Sequence, residues 1–364
     1  MKKILLLLFP LGLFAQVSTW SETLPKLKYA NTIVVEDLQK HISVLAGDSL
    51  QGRETGQTGQ KMAANYIANV FKEIGIPPYK NNSYFQKFKV KTVKRYGKWK
   101  WDKNGVLQKM LNNNYIRGEN IIGFIEGSDL KDEIVVITAH YDHLGVKDSL
   151  IYNGADDNGS GTVAIMEIAE AFMLAKKEGK GPRRSILIMP VSAEEKGLLG
   201  SKYYTENPIY PLENTIANLN VDMIGRIDDY HDNPNYIYLI GSDRLSTELH
   251  DISEEVNDKY INIELDYKYN DEDDPNRYYY RSDHYNFAKN NIPVIFYFNG
   301  VHEDYHKPTD TADKIEYKLL KDRIKLIFYT AWKLANRNKK IEVDKNVDYS
   351  ELVNCRRYLK LYNL

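Results

Sequence analysis

Between residues 60 and 74 the apolar side chains Met62, Ala63, Tyr66, Ile67, Val70, Phe71 and Ile74 recur at three- and four-residue steps, the spacing of one helical face. Gly75 and the pair Pro77 and Pro78 follow as stop signals. Further along, the pattern changes to compact runs rich in β-branched residues at 120–125, 133–139, 185–191, 215–224, 236–240 and 292–298. Helical periodicity fills the gaps at 162–177, 245–256 and 317–337. Strands bounded by helices in this way are covered on both faces. Their alternation with helices therefore predicts an α/β fold, a mixed, mostly parallel central sheet flanked by helices on both faces. Residues 85–132 are basic and aromatic, with Trp99 and Trp101 around an Asn104-Gly105 turn, and read as strands and a hairpin. The acidic loop at 271–274 is expected to stay solvated.

Composition narrows the class. The chain has 364 residues, 43% of them apolar and 27% charged, with a formal net charge of -1. That suits one soluble enzyme domain and gives no reason to expect a nucleic-acid partner. Lys2 and Lys3, the apolar run at 4–14 and the small Ala15 read as a secretory signal over residues 1–15, too short to span a bilayer. No lipobox cysteine follows it, so a released, exported protein is expected, periplasmic or secreted, with a single domain over 16–364. The one cysteine, Cys355, allows no intrachain disulfide, and the core must hold by packing.

Candidate chemistry sits where the predicted strands end. Zinc takes neutral imidazole nitrogen and carboxylate oxygen, and its catalytic sites keep one position open. The chain offers His140 and Asp142, Asp156 and Asp157, Glu194 and Glu195, Asp222, then His302 and His306. Most follow the carboxyl end of a strand, the side on which open α/β sheets form their ligand crevice. Each also has an ordinary explanation. Asp156, Asp157 and Asn158 suit a turn capping the next helix, Glu194 and Glu195 suit a helix dipole, and a polar loop at 302–306 needs no function. Only convergence in the fold separates the two accounts.

Seven ordered motifs resemble the zinc aminopeptidases of the M28 peptidase family. They are LAGDSLQGRETGQTGQKMAANYIANVFKEIG from residue 45, AHYDHLG, NGADDNGSGTVAIMEIAEAF, SAEEKGLLGS, NLNVDMIGR, RSDHYNF and DYHKPTDT. The resemblance implies a zinc exopeptidase fold without the inserted protease-associated domain that members often carry. It implies two zinc ions, one held by His140, Asp157 and Asp222 and one by Asp157, Glu195 and His306, with Asp157 shared. Asp142 would accept a hydrogen bond from the far nitrogen of His140, and Glu194 would be the general base. Tyr305 would donate to the tetrahedral oxyanion, and the bond from Asp157 to Asn158 would be cis. Asp283 and His284 match an SDH element with no assigned role. The implied reaction removes amino-terminal residues from peptides with a free amino terminus. Tyr278, Tyr279 and Tyr280 either line a pocket or pack in the core. Two other classes stay open: a glutaminyl-cyclase-like acyltransferase with one zinc, and a non-catalytic binding module on the same fold. The intact GADDNGSG and the His140 motif argue against the first, and the complete ligand set against the second.

Overall fold

Valine, isoleucine and leucine dominate the strands at the centre of the sheet, with a few buried polar residues such as Thr138, Asn218 and Asn220 among them. The computed structural model describes residues 27–93, 99–101, 107–109 and 113–345; the expected leader, the Asn104-Gly105 turn and Cys355 lie outside them. The strands are β1 (Phe85–Val93), β2 (Trp99–Trp101), β3 (Leu107–Lys109), β4 (Asn113–Ile121), β5 (Gly123–Ile125), β6 (Leu130–His140), β7 (Gly145–Lys147), β8 (Leu150–Tyr152), β9 (Arg184–Val191), β10 (Thr215–Val221), β11 (Tyr236–Ile240), β12 (Glu264–Asp266) and β13 (Val294–Phe298). Seven of these make the main sheet in the order β12-β11-β13-β10-β6-β9-β5. The contiguous set β13, β10, β6 and β9 is parallel, while β11 pairs antiparallel with β13 and β5 with β9. The expected α/β architecture is therefore the observed one. Strands β2 and β3 pair antiparallel, and β1 pairs antiparallel with β4 in a separate two-stranded sheet.

Alternate residues of each central strand feed two cores. Val135, Ile137, Ala139, Ile186, Ile188, Leu219 and Val221 face one layer, formed with α1 (Val35–Leu45), α2 (Thr58–Ile74), α3 (Gly161–Lys177), α5 (Thr247–Tyr260) and α7 (Tyr317–Asn336). Ile134, Val136, Leu187, Met189, Val294 and Phe296 face the other, beside α4 (Leu199–Glu206) and α6 (His284–Ala288). Each fully buried apolar side chain contributes about 1.5–3 kcal/mol, and that is what covers both faces. Helix α2 ends where expected, on Gly75 in the left-handed region at φ 93°.

Three expectations need correcting. Met62 is 43% exposed rather than part of the buried face of α2, because α2 packs through Ala63, Ala64, Ile67 and Phe71. Helix α1 was not among the predicted elements; its buried Leu38, Ile42 and Leu45 share their face with a polar His41 that breaks the apolar pattern. In the acidic loop, Asp274 is buried because its carboxylate accepts the main-chain N–H groups of Asn276 and Tyr278.

Candidate metal centre

The four parallel strands end in a row, and their loops turn sharply over the sheet. His140 is the last residue of β6, Asp222 follows β10, Glu194 and Glu195 follow β9, and His306 lies in the loop after β13. Ala193, Met223 and His306 all adopt left-handed φ values, 62°, 55° and 55°, a conformation rare outside glycine. Asp157 lies in the turn that opens α3, and its peptide bond to Asn158 is cis as the family resemblance implied.

Two donor groups meet at Asp157. His140 Nε2 lies 3.3 Å from Asp157 Oδ1 and 3.2 Å from Asp222 Oδ1. On the other side His306 Nε2 lies 3.0 Å from Asp157 Oδ2 and 3.4 Å from Glu195 Oε1. A tetrahedral zinc with ligands at about 2.0–2.1 Å spaces those ligands about 3.3 Å apart, so both groups have the donor chemistry and the spacing of a zinc site. The two Asp157 oxygens face different groups. The residues His140, Asp157, Asp222, Glu195 and His306 are thus brought together, while His302 and Asp156 pair with one another at 3.1 Å, away from both groups.

A surrounding layer fixes these donors. Asp310 accepts the main-chain N–H groups of Asp156 and Asp157 and so holds the turn that presents Asp157. The Asp222 Oδ2 atom accepts from Ser282, whose hydroxyl in turn accepts from Asn220, a buried polar residue on β10. Buried Arg53, from the QGRETG segment, donates to the carbonyls of Leu45, Tyr141, Asn153 and Gly154, tying both ligand-bearing loops together. Asp142 plays a different part from the expected one. Its carboxylate is 3.9 Å from His140 Nδ1, whereas its main-chain carbonyl is at 3.1 Å, so the backbone is the nearer acceptor. The carboxylate instead accepts from Thr55 and from the Glu194 N–H.

The electrostatics follow from crowding. Burial opposes charge at these donors, yet at three of them the facing partners outweigh it: Asp157 is held well below the ordinary carboxylate range by His143, His140 and His306. Glu195 is likewise pulled down to about 2, against burial and Asp157, by His143 and His306. His306 rises to about 10 despite burial because Asp157 and Glu195 face it. Glu194 goes the other way. Burial pushes it well above the usual carboxylate range, with Glu195, Asp222 and Asp283 adding to it against the opposing His140. Burial also raises the Tyr305 hydroxyl, with nearby Asp157 adding to it, so the phenol keeps its proton. Glu194, Tyr305, Met223, Tyr278, Arg281, Phe296, Phe298 and Val301 line a cleft of about 420 Å³ over the donors. Tyr278 is therefore a lining residue and Tyr279 a core one. Asp283 is buried and accepts from Ser201, and His284 stacks on Phe296 at 4.8 Å, both beside the site rather than in it.

Reasoning from sequence passed over His143 and Arg53. His143 stands three residues after His140 in AHYDHLG, a spacing that was open to reading; Arg53 contacts only main-chain oxygens, which leave no mark in a sequence.

Comparison with known proteins agrees with the geometry. A segment of 109 residues is 35% identical to aminopeptidase YwaD of Bacillus subtilis, covering 29% of this chain and 22% of that protein. Another, of 105 residues, is 38% identical to a probable glutamate carboxypeptidase, LAMP1, of Arabidopsis thaliana, covering 29% of this chain and 14% of that protein. The chain matches only 14 to 25% of the length of the first such relatives. The fold is similar to that of the LapA aminopeptidase of Legionella pneumophila, with a TM-score of 0.64 at 22% identity over 93% of this chain and 81% of that one. It is also similar to the Porphyromonas gingivalis glutaminyl cyclase, with a TM-score of 0.56 at 17% identity over 82% and 97%. Residues 120–331, well over half of the chain and spanning every donor named above, match Peptidase family M28, and the chain belongs to that family.

Proposed function

We propose that this is an exported zinc aminopeptidase, a single domain over residues 16–364 acting on peptides with a free amino terminus through two zinc ions. The observation that carries the reading is Asp157, whose two oxygens each complete a separate histidine-carboxylate donor group. His140, Asp157 and Asp222 would hold one ion, and Asp157, Glu195 and His306 the other. When bound, such ions polarise the scissile carbonyl and make water nucleophilic near neutral pH.

The chain's own residues supply the rest. Glu194 lines the cleft outside both donor groups, so its carboxylate is free to take a proton from the attacking water and deliver it to the leaving amine nitrogen. Tyr305 keeps its proton and donates a hydrogen bond to the carbonyl oxygen as that oxygen gains charge. Met223, Phe296, Phe298 and Val301 form an apolar wall suited to the first residue's side chain. Asp142 positions Glu194 through its main-chain N–H. Names among relatives support peptide hydrolysis, aminopeptidase YwaD and the LapA aminopeptidase in particular. The cyclase-like alternative uses one zinc and leaves the second donor group without a task.

The adjacent glutamates test the assignment. Glu194→Gln should keep its zinc and lose turnover by roughly 10²–10⁴-fold, the range of a lost general base. Glu195→Gln should lose zinc, and added zinc should partly restore its activity. Were both merely helix-start carboxylates, each change would cost about 0.3–1 kcal/mol. Near-normal turnover in Glu194→Gln contradicts the base, and zinc loss in that variant reverses the order of the pair.

A further inference from the structure

His143 is buried beside Asp157 and Glu195, and the family resemblance gives it no task. Its Nδ1 lies 3.0 Å from Glu195 Oε1 and 3.7 Å from Asp157 Oδ2. Its ring is 5.8 Å from that of His306, centroid to centroid, at an interplanar angle of 65°. The side chain is 0% exposed, and neither ring nitrogen has an aligned hydrogen-bond partner; Glu195 Oε1 lacks one too. Two unsatisfied buried polar atoms this close would each cost about 1–3 kcal/mol if nothing served them. An N–H donated from the ring to the carboxylate would satisfy both, but the ring is not turned for it. Atoms that are near, misaligned with each other and gathered around one carboxylate are arranged as ligands of a common cation.

The surrounding chain holds the ring in that pose. The His143 N–H donates to the Arg53 carbonyl, and the Arg53 side chain grips the carbonyls of Tyr141 and Gly154 on either side. Gly154 has a left-handed φ of 56°, and a Cβ on it would stand 2.5 Å from the His143 ring, so the bare backbone makes the space. These contacts come from residues far apart in sequence and converge on one imidazole.

Building on the dinuclear reading above, we propose that His143 is a fourth protein donor to the ion held by Asp157, Glu195 and His306. The two positions then differ in kind. His140, Asp157 and Asp222 give three donors and leave a position open beside Glu194, the pattern of catalytic zinc. The group with His143 has four, the count of closed zinc sites, so it should hold its ion more tightly.

The test is zinc titration of chelator-stripped wild-type, His143→Ala and His143→Cys proteins against a competing chelator, with cobalt spectra of the cysteine variant. The wild type should take up two equivalents. His143→Ala should keep one at unchanged affinity and bind the other at least a hundredfold more weakly, beyond the roughly 10- to 100-fold typical of a residue that merely supports a ligand. Cobalt-loaded His143→Cys should show a near-ultraviolet thiolate-to-cobalt band absent from the wild type, because a donor at this position touches the ion. Fewer than two equivalents in the wild type would overturn the dinuclear reading and this assignment with it. Two equivalents of unchanged affinity in His143→Ala would overturn His143 alone. Weaker binding in alanine without a band in cysteine would make His143 a positioning residue for Glu195 and overturn it as a donor. If alanine does not fold beside Gly154, the cysteine band decides alone.

Discussion

His41 and Glu167 pack between α1 and α3 with side-chain exposures of 7% and 3%, much as His140 and Asp157 pack over the sheet with exposures of 1% and 5%. Their electrostatics are opposite. Burial pushes Glu167 up to about 8, with Glu170 and Asp37 adding to it, and the same burial lowers His41. That pair settles into neutral forms 3.6 Å apart, with His41 Nδ1 against the Tyr66 hydroxyl. At Asp157 the carboxylate stays ionised and His140 and His306 are pushed up, because donors from several separate segments face one another at once. Burial decides the charge state where Glu167 meets His41, whereas at Asp157 the facing histidines override it. A carboxylate kept ionised away from water is in the state that metal ligation requires, and a bound cation would take the place of the protons that the raised values give to His140 and His306.

Breaking the convergent side should have the largest effect. Asp157→Asn removes the residue common to both groups, so both zinc equivalents should weaken together, and activity should fall by well over 100-fold, more than losing a ligand's neighbour costs. Metal content and kcat/KM of the variant check this. Loss of one equivalent with the other intact would mean that Asp157 serves one group only.

The neutral pair sharpens the contrast with a smaller effect, in stability rather than activity. Glu167 has a folded value of about 8 against an ordinary value of 4.5. Its folded value is raised, so the stability it contributes is fully present below about pH 4.5 and lost as pH rises through about 8. Glu167→Gln keeps the neutral form at every pH. Its stability relative to wild type should therefore rise from near pH 5 to near pH 9, by up to a few kcal/mol, since each tenfold change in proton affinity is about 1.4 kcal/mol. Urea unfolding of both proteins at the two pH values measures it, with turnover unchanged. A difference that is flat with pH would mean that Glu167 is ionised in the fold.

What the sequence revealed and what it hid have physical causes. Strand β9 was legible because it is buried on both faces and carries an uninterrupted apolar run, Ile186, Leu187, Ile188 and Met189, whereas Asn218 and Asn220 interrupt β10. The candidate donors were legible because zinc takes particular side chains, and His140, Asp157, Glu195, Asp222 and His306 sit in short motifs beside strand ends. Contacts through the main chain were not legible. The nearer partner of His140 Nδ1 is the Asp142 carbonyl, not its carboxylate, and Arg53 serves four carbonyls. His143 was hidden for another reason: its proposed role depends on a close approach to Gly154 and Glu195 that only the fold creates. Helix α1 escaped because His41 belongs to the polar contacts with Tyr66 and Glu167, so the buried face is not all apolar.

The central claim is that Asp157 joins two zinc ions, and anomalous scattering at the zinc edge from crystals of the zinc-loaded protein tests it most directly. Two peaks are expected, one among His140, Asp157 and Asp222 and one among Asp157, Glu195 and His306, with a different Asp157 oxygen toward each. A single peak, or a second one remote from Asp157, would contradict the account.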